Sequence, residues 1–257
     1  MRTSPAAAVA LGALAIGLTA CDDPGKPQAT PPSASVGTPT ASSRPTAAAG
    51  PSLDPANFTI TVDNPYFPLA VGSRWVYEQQ TADGLERIVV TVTDQTRAVL
   101  GVTTAVVRDT VTVDDEVIED TFDWYAQDEQ GNVWYFGEDT REFEDGVAAN
   151  RKGSFEAGID GAAPGIVMKA VPKVGDSYDQ ELAPGVAEDA ATVLSVDAGV
   201  TVKASAYTGV LKTEDINRLD PGQVEHKYYA RGVGNILTMK VGGDDVGQKA
   251  ELVEFTR

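Results

Sequence analysis

Cysteine and histidine, whose side chains often act in catalysis or bind metals, are rare in this chain, whereas acidic residues are abundant. The 257 residues include one cysteine, Cys21, and one histidine, His226, against 38 acidic residues. A zinc site built from cysteine and histidine needs about four ligands, so such a site is excluded. A Ser-His-Asp triad cannot be selected from a single histidine among many serines and acids. The sequence therefore predicts no catalytic residue, no metal and no cofactor.

Acidic residues occur in adjacent pairs, such as Asp128-Glu129 and Asp244-Asp245. Two carboxyl groups could serve glycoside hydrolysis or calcium binding. Neighbouring residues of a strand point to opposite faces, however, so adjacent pairs select neither chemistry. We expect them to form a solvated acidic surface. The net charge of −18 disfavours nucleic acid as a partner and leaves cationic partners open.

Cys21 lies in a context that gives it a different chemistry. Arg2 precedes an uncharged, almost wholly apolar run at residues 6–18, which has the length of a signal-peptide core and is too short to span a bilayer. The sequence Leu18-Thr19-Ala20-Cys21 follows and resembles a bacterial lipobox. That resemblance implies that residues 1–20 are a lipoprotein signal peptide and that the Cys21 thiol carries lipid. The membrane is then a partner, and the protein is anchored to the cell membrane facing outside the cytoplasm.

The sequence after Cys21 predicts a tether followed by one domain. Residues 21–55 contain eight of the 15 prolines, together with many Ala, Ser, Thr and Gly residues, and no aromatic residue occurs before Phe58. Such a composition cannot bury enough apolar surface to offset its ordering entropy, which predicts a disordered tether. Residues 56–257 are predicted to form a single β domain, because β-branched and aromatic residues alternate with polar ones in several segments.

An internal repeat indicates how this domain is built. The sequence Pro68 to Trp75 recurs loosely from Pro172, and Trp124-Tyr125-Ala126 recurs as Tyr228-Tyr229-Ala230. These landmarks are separated by 103 or 104 positions. We predict two similar β-meander halves at about 60–143 and 172–257. Their apolar faces must be buried, which predicts an all-β fold, either an antiparallel sandwich or a curved half-barrel.

Residues 144–171 join the two halves and are predicted to be a long loop. The segment is rich in glycine and has few strand formers before Ile166. Long connections in compact domains are usually functional or partly disordered, so the loop is a candidate lid or binding loop. The alternative is a structural crossover without a function.

Aromatic residues supply the candidate binding site. Most are expected in the core, and some could line an apolar cleft between the halves. His226 alternates with Tyr228 and is expected on the same face; a buried structural histidine is the alternative. The candidate ligand-binding residues are Trp75, Trp124, Trp134, Tyr228 and His226.

Three phrases of the sequence resemble a family of exported bacterial lipoproteins, mainly actinobacterial. The phrases are Asn64-Pro65-Tyr66-Phe67-Pro68-Leu69 with Gly72 to Glu78, Asp123 to Asp128 with Gly131 to Glu138, and Glu225 to Ala230 with Gly232-Val233-Gly234. The resemblance extends from about Phe58 to the end of the chain. It implies an exported β-rich domain and carries over no catalytic residues.

The sequence thus predicts a lipid-anchored, extracytoplasmic β module that is more consistent with binding than with catalysis. Its ligand would be a small apolar molecule or a protein of the cell envelope. Two alternatives stay open: an extracytoplasmic hydrolase that uses a carboxylate pair, and a structural accessory protein of the envelope.

Overall fold

The computed structural model describes residues 53–257. The predicted signal peptide (1–20), Cys21 and nearly all of the predicted tether (21–55) lie outside the described residues. The described part of the chain consists of strands joined by turns, with one short 3₁₀ turn at Pro55–Asn57. No helix in this part is long and apolar enough to cross a membrane.

Sixteen strands follow one another along residues 53–257. The first six are β1 (Phe58–Thr59), β2 (Arg74–Gln80), β3 (Leu85–Val99), β4 (Val102–Val113), β5 (Glu116–Asp128) and β6 (Val133–Glu144). Five short strands come next: β7 (Val147–Asn150), β8 (Phe155–Glu156), β9 (Ala163–Met168), β10 (Ser177–Asp179) and β11 (Glu181–Leu182). The last five are β12 (Asp189–Thr201), β13 (Ala206–Asn217), β14 (Val224–Ala230), β15 (Gly234–Gly242) and β16 (Lys249–Thr256).

The strands pair antiparallel in the order β10-β12-β13-β14-β15-β16-β2-β3-β4-β5-β6-β9-β11. The two ends of this path meet in one segment of chain. Tyr178 pairs with Ala191 of β12, and Glu181, three residues further on, pairs with Pro164 of β9. The sheet is therefore nearly closed and barrel-shaped. This confirms the predicted all-β antiparallel class, with the curved form rather than the flat sandwich.

A hydrophobic core fills one part of the barrel interior. Trp75 of β2 lies opposite Val90 of β3, and Tyr77 lies opposite Ile88. All four side chains are almost fully buried. Because side chains alternate along a strand, the residues between them face the other side of the sheet. Each large apolar side chain that is buried contributes roughly 1.5–3 kcal/mol to the free energy of unfolding, so this core is a major source of stability.

The segment before β2 crosses one end of the barrel, which we call the plugged end. The Asn64 side-chain amide donates to the carbonyl oxygens of Gly131 (2.9 Å) and Lys169 (3.1 Å), which lie in the turn before β6 and just after β9. The buried ring of Phe67 lies 5.3 Å from the ring of Tyr125. The turn after β14 contributes too, because Gly232 N donates to Pro65 O at 2.7 Å. The Asn-Pro-Tyr-Phe-Pro-Leu phrase is therefore the stretch that crosses this end.

The predicted loop at residues 144–171 includes three short strands, which the sequence analysis did not predict. It contains β7, β8 and β9, and each of them pairs with β6. β9 also pairs with β11 and so belongs to the barrel wall. A glycine-rich sequence gave little strand signal because pairing with neighbouring strands, rather than intrinsic propensity, fixes these short segments.

Matching hydrogen bonds occur at the two turns that open the repeated segments. Gly72 N donates to Val92 O, and Gly175 N donates to Val193 O, both at 2.9 Å. β4 and β13 both have 12 residues and begin 104 positions apart. The division into two similar halves stays a prediction from the sequence.

Candidate functional site

The five residues predicted to bind a ligand lie in three separate regions of the sheet. Trp75 is on β2, the pair Trp124 and Trp134 is on β5 and β6, and the pair His226 and Tyr228 is on β14. In the order of the sheet, β2 is three strands away from both β5 and β14. Their side chains could meet only across the barrel interior.

Trp75 does face the interior, but its contacts are those of a core residue. Its indole nitrogen donates to Val233 O at 2.7 Å, in the turn after β14. Its ring stacks on Phe255 with 5.2 Å between centroids. The side chain is 1% exposed, so it does not line an open cleft. It connects the turn after β14, at the plugged end, to β2 and β16.

Trp124 and Trp134 face away from the core occupied by Tyr125 and Tyr135, their neighbours in the chain. The guanidinium of Arg97 lies 4.0 Å from the Trp124 ring centroid, a cation–π contact that helps to cover this outer face. The indole nitrogen of Trp134 donates to Asp128 Oδ2 at 2.8 Å. Both rings are thus held by contacts within the chain.

His226 and Tyr228 lie on the outer face of β14, because Lys227 between them is buried inside. Both side chains are half-buried. His226 Nε2 lies 3.7 Å from a Glu214 carboxylate oxygen. Burial and the nearby Lys212 lower the pKa of His226, although Glu214 opposes this. The structure therefore does not bring the five predicted residues together in one site.

Instead, the barrel interior contains acidic residues, which differs from the predicted solvated surface. Asp109, Glu119, Asp123 and Glu138 are each at most 5% exposed. They lie on β4, β5 and β6, where Asp123 pairs with Glu138 across the two strands. The alternation of β5 placed Glu119 and Asp123 on the same face as Tyr125, and this spacing was the signal that could have shown them.

Three of these carboxyl groups, those of Asp123, Glu138 and Glu119, are joined by hydroxyl groups into one hydrogen-bonded chain. The Tyr135 hydroxyl oxygen lies 2.7 Å from Asp123 Oδ1 and 2.6 Å from Glu138 Oε2. Thr140 Oγ1 lies 2.8 Å from Glu138 Oε1 and 3.1 Å from Thr121 Oγ1. Thr121 Oγ1 also lies 3.0 Å from Glu119 Oε1, which ends the chain. We call this series, from Asp123 to Glu119, the carboxyl chain.

Burial favours the neutral form of these groups. Desolvation raises the pKa of Glu138 to about 7, against the opposing effect of the hydrogen bonds from Tyr135 and Thr140. Desolvation, reinforced by the charge of Glu138, raises the pKa of Glu119 to about 8. The pKa values of Asp123 and Asp109 are also raised well above the ordinary range, first by burial and then by neighbouring carboxylates.

A buried lysine on β14 lies in another part of the barrel interior. Lys227 is 2% exposed, and its ammonium lies 3.2 Å from Asp215 Oδ2. Burial alone would lower the pKa of Lys227, but the charges of Asp215, Glu225 and Asp189 together raise it above its ordinary value. Lys227 is therefore charged, and this ion pair is held inside the barrel.

A small cavity adjoins this buried ion pair. It is lined by Asp189, Asp215, Ile216, Asn217, Gln223, Glu225 and Lys227. Asn217 ends β13 and Gln223 immediately precedes β14, so the cavity lies at the end of the barrel where β14 begins. Because neighbouring strands alternate in direction, β14 and β5 run the same way, and β5 ends at the plugged end. The cavity is thus at the opposite end, which we call the far end.

The carboxyl pair that could resemble a hydrolase site is enclosed. Asp123 and Glu138 share the Tyr135 hydroxyl, and their exposed fractions are 0% and 5%. A glycosidase needs room for a sugar between its two carboxyl groups. Here that space is already taken by a tyrosine of the chain, so the geometry gives the hydrolase alternative no support.

No group of three or more His, Cys, Asp or Glu side chains within residues 53–257 has the arrangement of a metal site. The carboxyl groups of Asp123, Glu138 and Glu119 are bonded to hydroxyl groups and do not surround a common centre. What this interior can do chemically is hold protons and, at the far end, present negative charge to a positively charged group.

Comparisons with known proteins assign no functional site. No protein-family model and no curated protein matches the chain. A solved structure described as a "putative exported protein with YmcC-like fold", from Bacteroides fragilis, is 15% identical with a TM-score of 0.45, over 75% of this chain and 99% of that one. A "putative lipoprotein" from Parabacteroides distasonis is 12% identical with a TM-score of 0.39, over 74% and 98%. Likenesses this distant assign no residue a role.

Proposed function

We propose that this protein is a lipid-anchored binding module displayed outside the cytoplasm, and that its barrel binds a basic group of an envelope partner at the far end. The anchor rests on Leu18-Thr19-Ala20-Cys21 and the signal-like segment before it. The binding role rests on one observation, the acid-lined cavity beside Asp189, Asp215 and Glu225.

The charges around this cavity favour a cation. Three acidic residues line it against one lysine, Lys227, which is already paired with Asp215. The chain as a whole carries a net charge of −18, so its field adds to the local attraction. The terminal ammonium of a partner's lysine side chain is about the size of a water molecule and has the right charge for so small a cavity.

The position of the cavity fits a protein tethered through its N-terminal side. The chain enters the barrel at the plugged end, where Phe58 of β1 pairs with Asp128 at the end of β5. The cavity lies at the far end. A protein anchored through Cys21 would therefore hold the cavity on the side away from the point where the tether joins.

A small apolar ligand, the other predicted occupant, receives less support. The aromatic candidates are engaged in contacts within the chain, and the cavity beside Lys227 is lined mainly by polar side chains. An apolar ligand needs a mostly apolar, concave pocket. We therefore favour the envelope partner over the apolar molecule.

The experiment is a calorimetric titration of the purified chain with N-acetyl-lysine amide, and with N-acetyl-glutamine amide as the neutral probe. We expect the cationic probe to bind with a Kd of about 1 mM, as one ion-pairing group at a polar site would. Gln223→Arg places a guanidinium at the cavity and should weaken this binding at least about tenfold. A tenfold loss corresponds to about 1.4 kcal/mol of binding free energy.

The matched control is Gln95→Arg, which makes the same change of charge at an exposed position of β3 away from the cavity. It should leave the affinity within about twofold, because exposed charges at a distance are screened by salt. Equal binding of the neutral and cationic probes, or an equal effect of the two arginine variants, would contradict the proposal.

A further inference from the structure

The carboxyl chain cannot be satisfied by hydroxyl protons alone. It contains five oxygen–oxygen hydrogen bonds, and each needs one proton. Tyr135, Thr140 and Thr121 supply one proton each. Two further protons must therefore come from the three carboxyl groups of Asp123, Glu138 and Glu119. Whichever way the bonds are oriented, two of these three carboxyl groups are neutral when all five hydrogen bonds are made.

We propose that the barrel interior holds two shared carboxylic protons in the chain from Asp123 to Glu119, and that losing them as the pH rises loosens the barrel. Removing one proton leaves two oxygen acceptors facing each other at hydrogen-bond distance without a donor. Removing both adds repulsion between carboxylates in a region that excludes water. The device is thus sensitive to alkali, whereas most folded proteins lose stability first on the acid side.

The titratable groups around the carboxyl chain reinforce this sensitivity to alkali, because they are acids or tyrosines. The titratable groups that interact electrostatically with a member of the carboxyl chain are Asp109 on β4, Tyr125 on β5, Asp139 and Glu142 on β6, and Glu181 on β11. Lys227 on β14 interacts with Glu181, and it is engaged by Asp215. The negative charge of these groups therefore disfavours full ionisation of the carboxyl chain.

The direction of the pH effect follows from the proton count. In the unfolded chain the three carboxyl groups have ordinary pKa values near 4. In the barrel, Glu138 and Glu119 have pKa values raised to about 7 and about 8. Between about pH 5 and pH 7 the folded protein binds more protons than the unfolded one, so stability falls as the pH rises. With two protons the unfolding equilibrium constant increases roughly 100-fold per pH unit in this range.

The decisive experiment is a ¹³C NMR titration of the full chain labelled at the Asp and Glu carboxyl carbons. We expect at least two carboxyl signals to titrate near pH 7 or above in the wild-type protein. Glu138→Gln should remove one of them and shift another. If every carboxyl signal of the folded protein titrates near the ordinary value of about 4, the proposal is overturned.

Unfolding by urea between pH 5 and pH 9 gives the second measurement. Between pH 5 and pH 7 the wild-type protein should unfold at lower urea as the pH rises, and Glu138→Gln should lessen the slope of the unfolding equilibrium constant by roughly a factor of ten per pH unit. Glu129→Gln, at an exposed turn, is the matched control and should keep the wild-type slope. If Glu138→Gln does not fold, the titration of the wild-type protein still decides. An equal effect of the two variants on the slope would count against the shared protons.

Discussion

Asp109 shows at the scale of a residue what this interior requires of its side chains. It is 1% exposed, and neither of its carboxyl oxygens has a hydrogen-bond partner within the described part of the chain. Burial first, and then the charges of Asp123, Glu119 and Glu138, raise its pKa well above the ordinary value. An ionised carboxylate in this position would be strongly destabilising, so Asp109 is neutral in the folded barrel.

Asp109→Asn tests this assignment, because asparagine has nearly the shape of the neutral acid. At pH 5 the variant should unfold within about 0.5 kcal/mol of the wild-type protein. At pH 9 it should be more stable than the wild-type protein, since the wild-type side chain ionises on unfolding and the variant does not. Urea unfolding at the two pH values measures both differences.

The control for this variant is Asp94→Asn, at an exposed position of β3. It should change stability by less than about 0.5 kcal/mol at either pH. A loss of stability for Asp109→Asn at pH 9 that equals its loss at pH 5 would show that the carboxyl is not the source of the pH dependence.

The buried acids are the part of the candidate site that sequence reasoning missed, and β5 shows why. Phe122, Trp124 and Ala126 form one face of this strand, whereas Asp123 and Tyr125 belong to the other. Hydrophobic alternation favours the first face as the interior. The barrel uses the second one, and Arg97 helps to cover the first. The local alternation shows which residues share a face, but contacts far apart in sequence decide which face the barrel encloses.

Among the elements, the segment from Ser177 to Leu182 is the one that brings the sheet almost to closure. Its first half pairs with β12 and its second half with β9. Gly165 of β9 lies directly against it: a Cβ atom at this position would come within 2.1 Å of the backbone oxygen of Gln180. Backbone atoms cannot move aside as a flexible side chain can, so this position needs a residue without a side chain.

Gly165→Ala should therefore destabilise the barrel by about 3 kcal/mol, at the upper end of overpacking costs. Gly199→Ala on β12 is the matched control, because the nearest atom to its added Cβ lies at 3.9 Å. The control should be neutral or slightly stabilising, since alanine has less chain entropy to lose than glycine. Urea unfolding compares the two, and equal stabilities would show that Gly165 does not limit closure.

The long strands were predictable from the sequence, and the short ones were not. β3, β4 and β5 have β-branched and aromatic residues in alternation, which indicates strands directly. β9 and β11 have no such pattern. They are strands because they pair with each other, and this contact exists only in the folded protein. The same limit applies to the cavity, since Asp189, Asp215 and Glu225 come from three different strands.

For the whole molecule, the two ends of the barrel have different roles in our proposal. The plugged end holds Asn64 and Phe67 and receives the chain from its N-terminal side. The far end holds the acid-lined cavity. In our proposal the tether from Cys21 joins the barrel at the first end, and a partner binds at the second.

Cys21→Ser tests the anchor without altering the barrel, because Cys21 lies outside residues 53–257. A serine cannot take lipid through a thioether, and without two or more acyl chains membrane binding is marginal. We expect the variant to leave the membrane fraction for the soluble extracytoplasmic fraction, while the wild-type protein stays with the membrane. Ala20→Ser, which changes the neighbouring residue and keeps the thiol, is the control. Equal membrane retention of Cys21→Ser and the wild-type protein would rule out lipidation at this position.

The central claim is that the far end of the barrel binds a basic group, and calorimetry with N-acetyl-lysine amide tests it most directly. The predicted result is binding near 1 mM that Gln223→Arg weakens at least about tenfold and Gln95→Arg leaves within about twofold. Undetectable binding of the cationic probe, or the same affinity in both arginine variants, would contradict the claim.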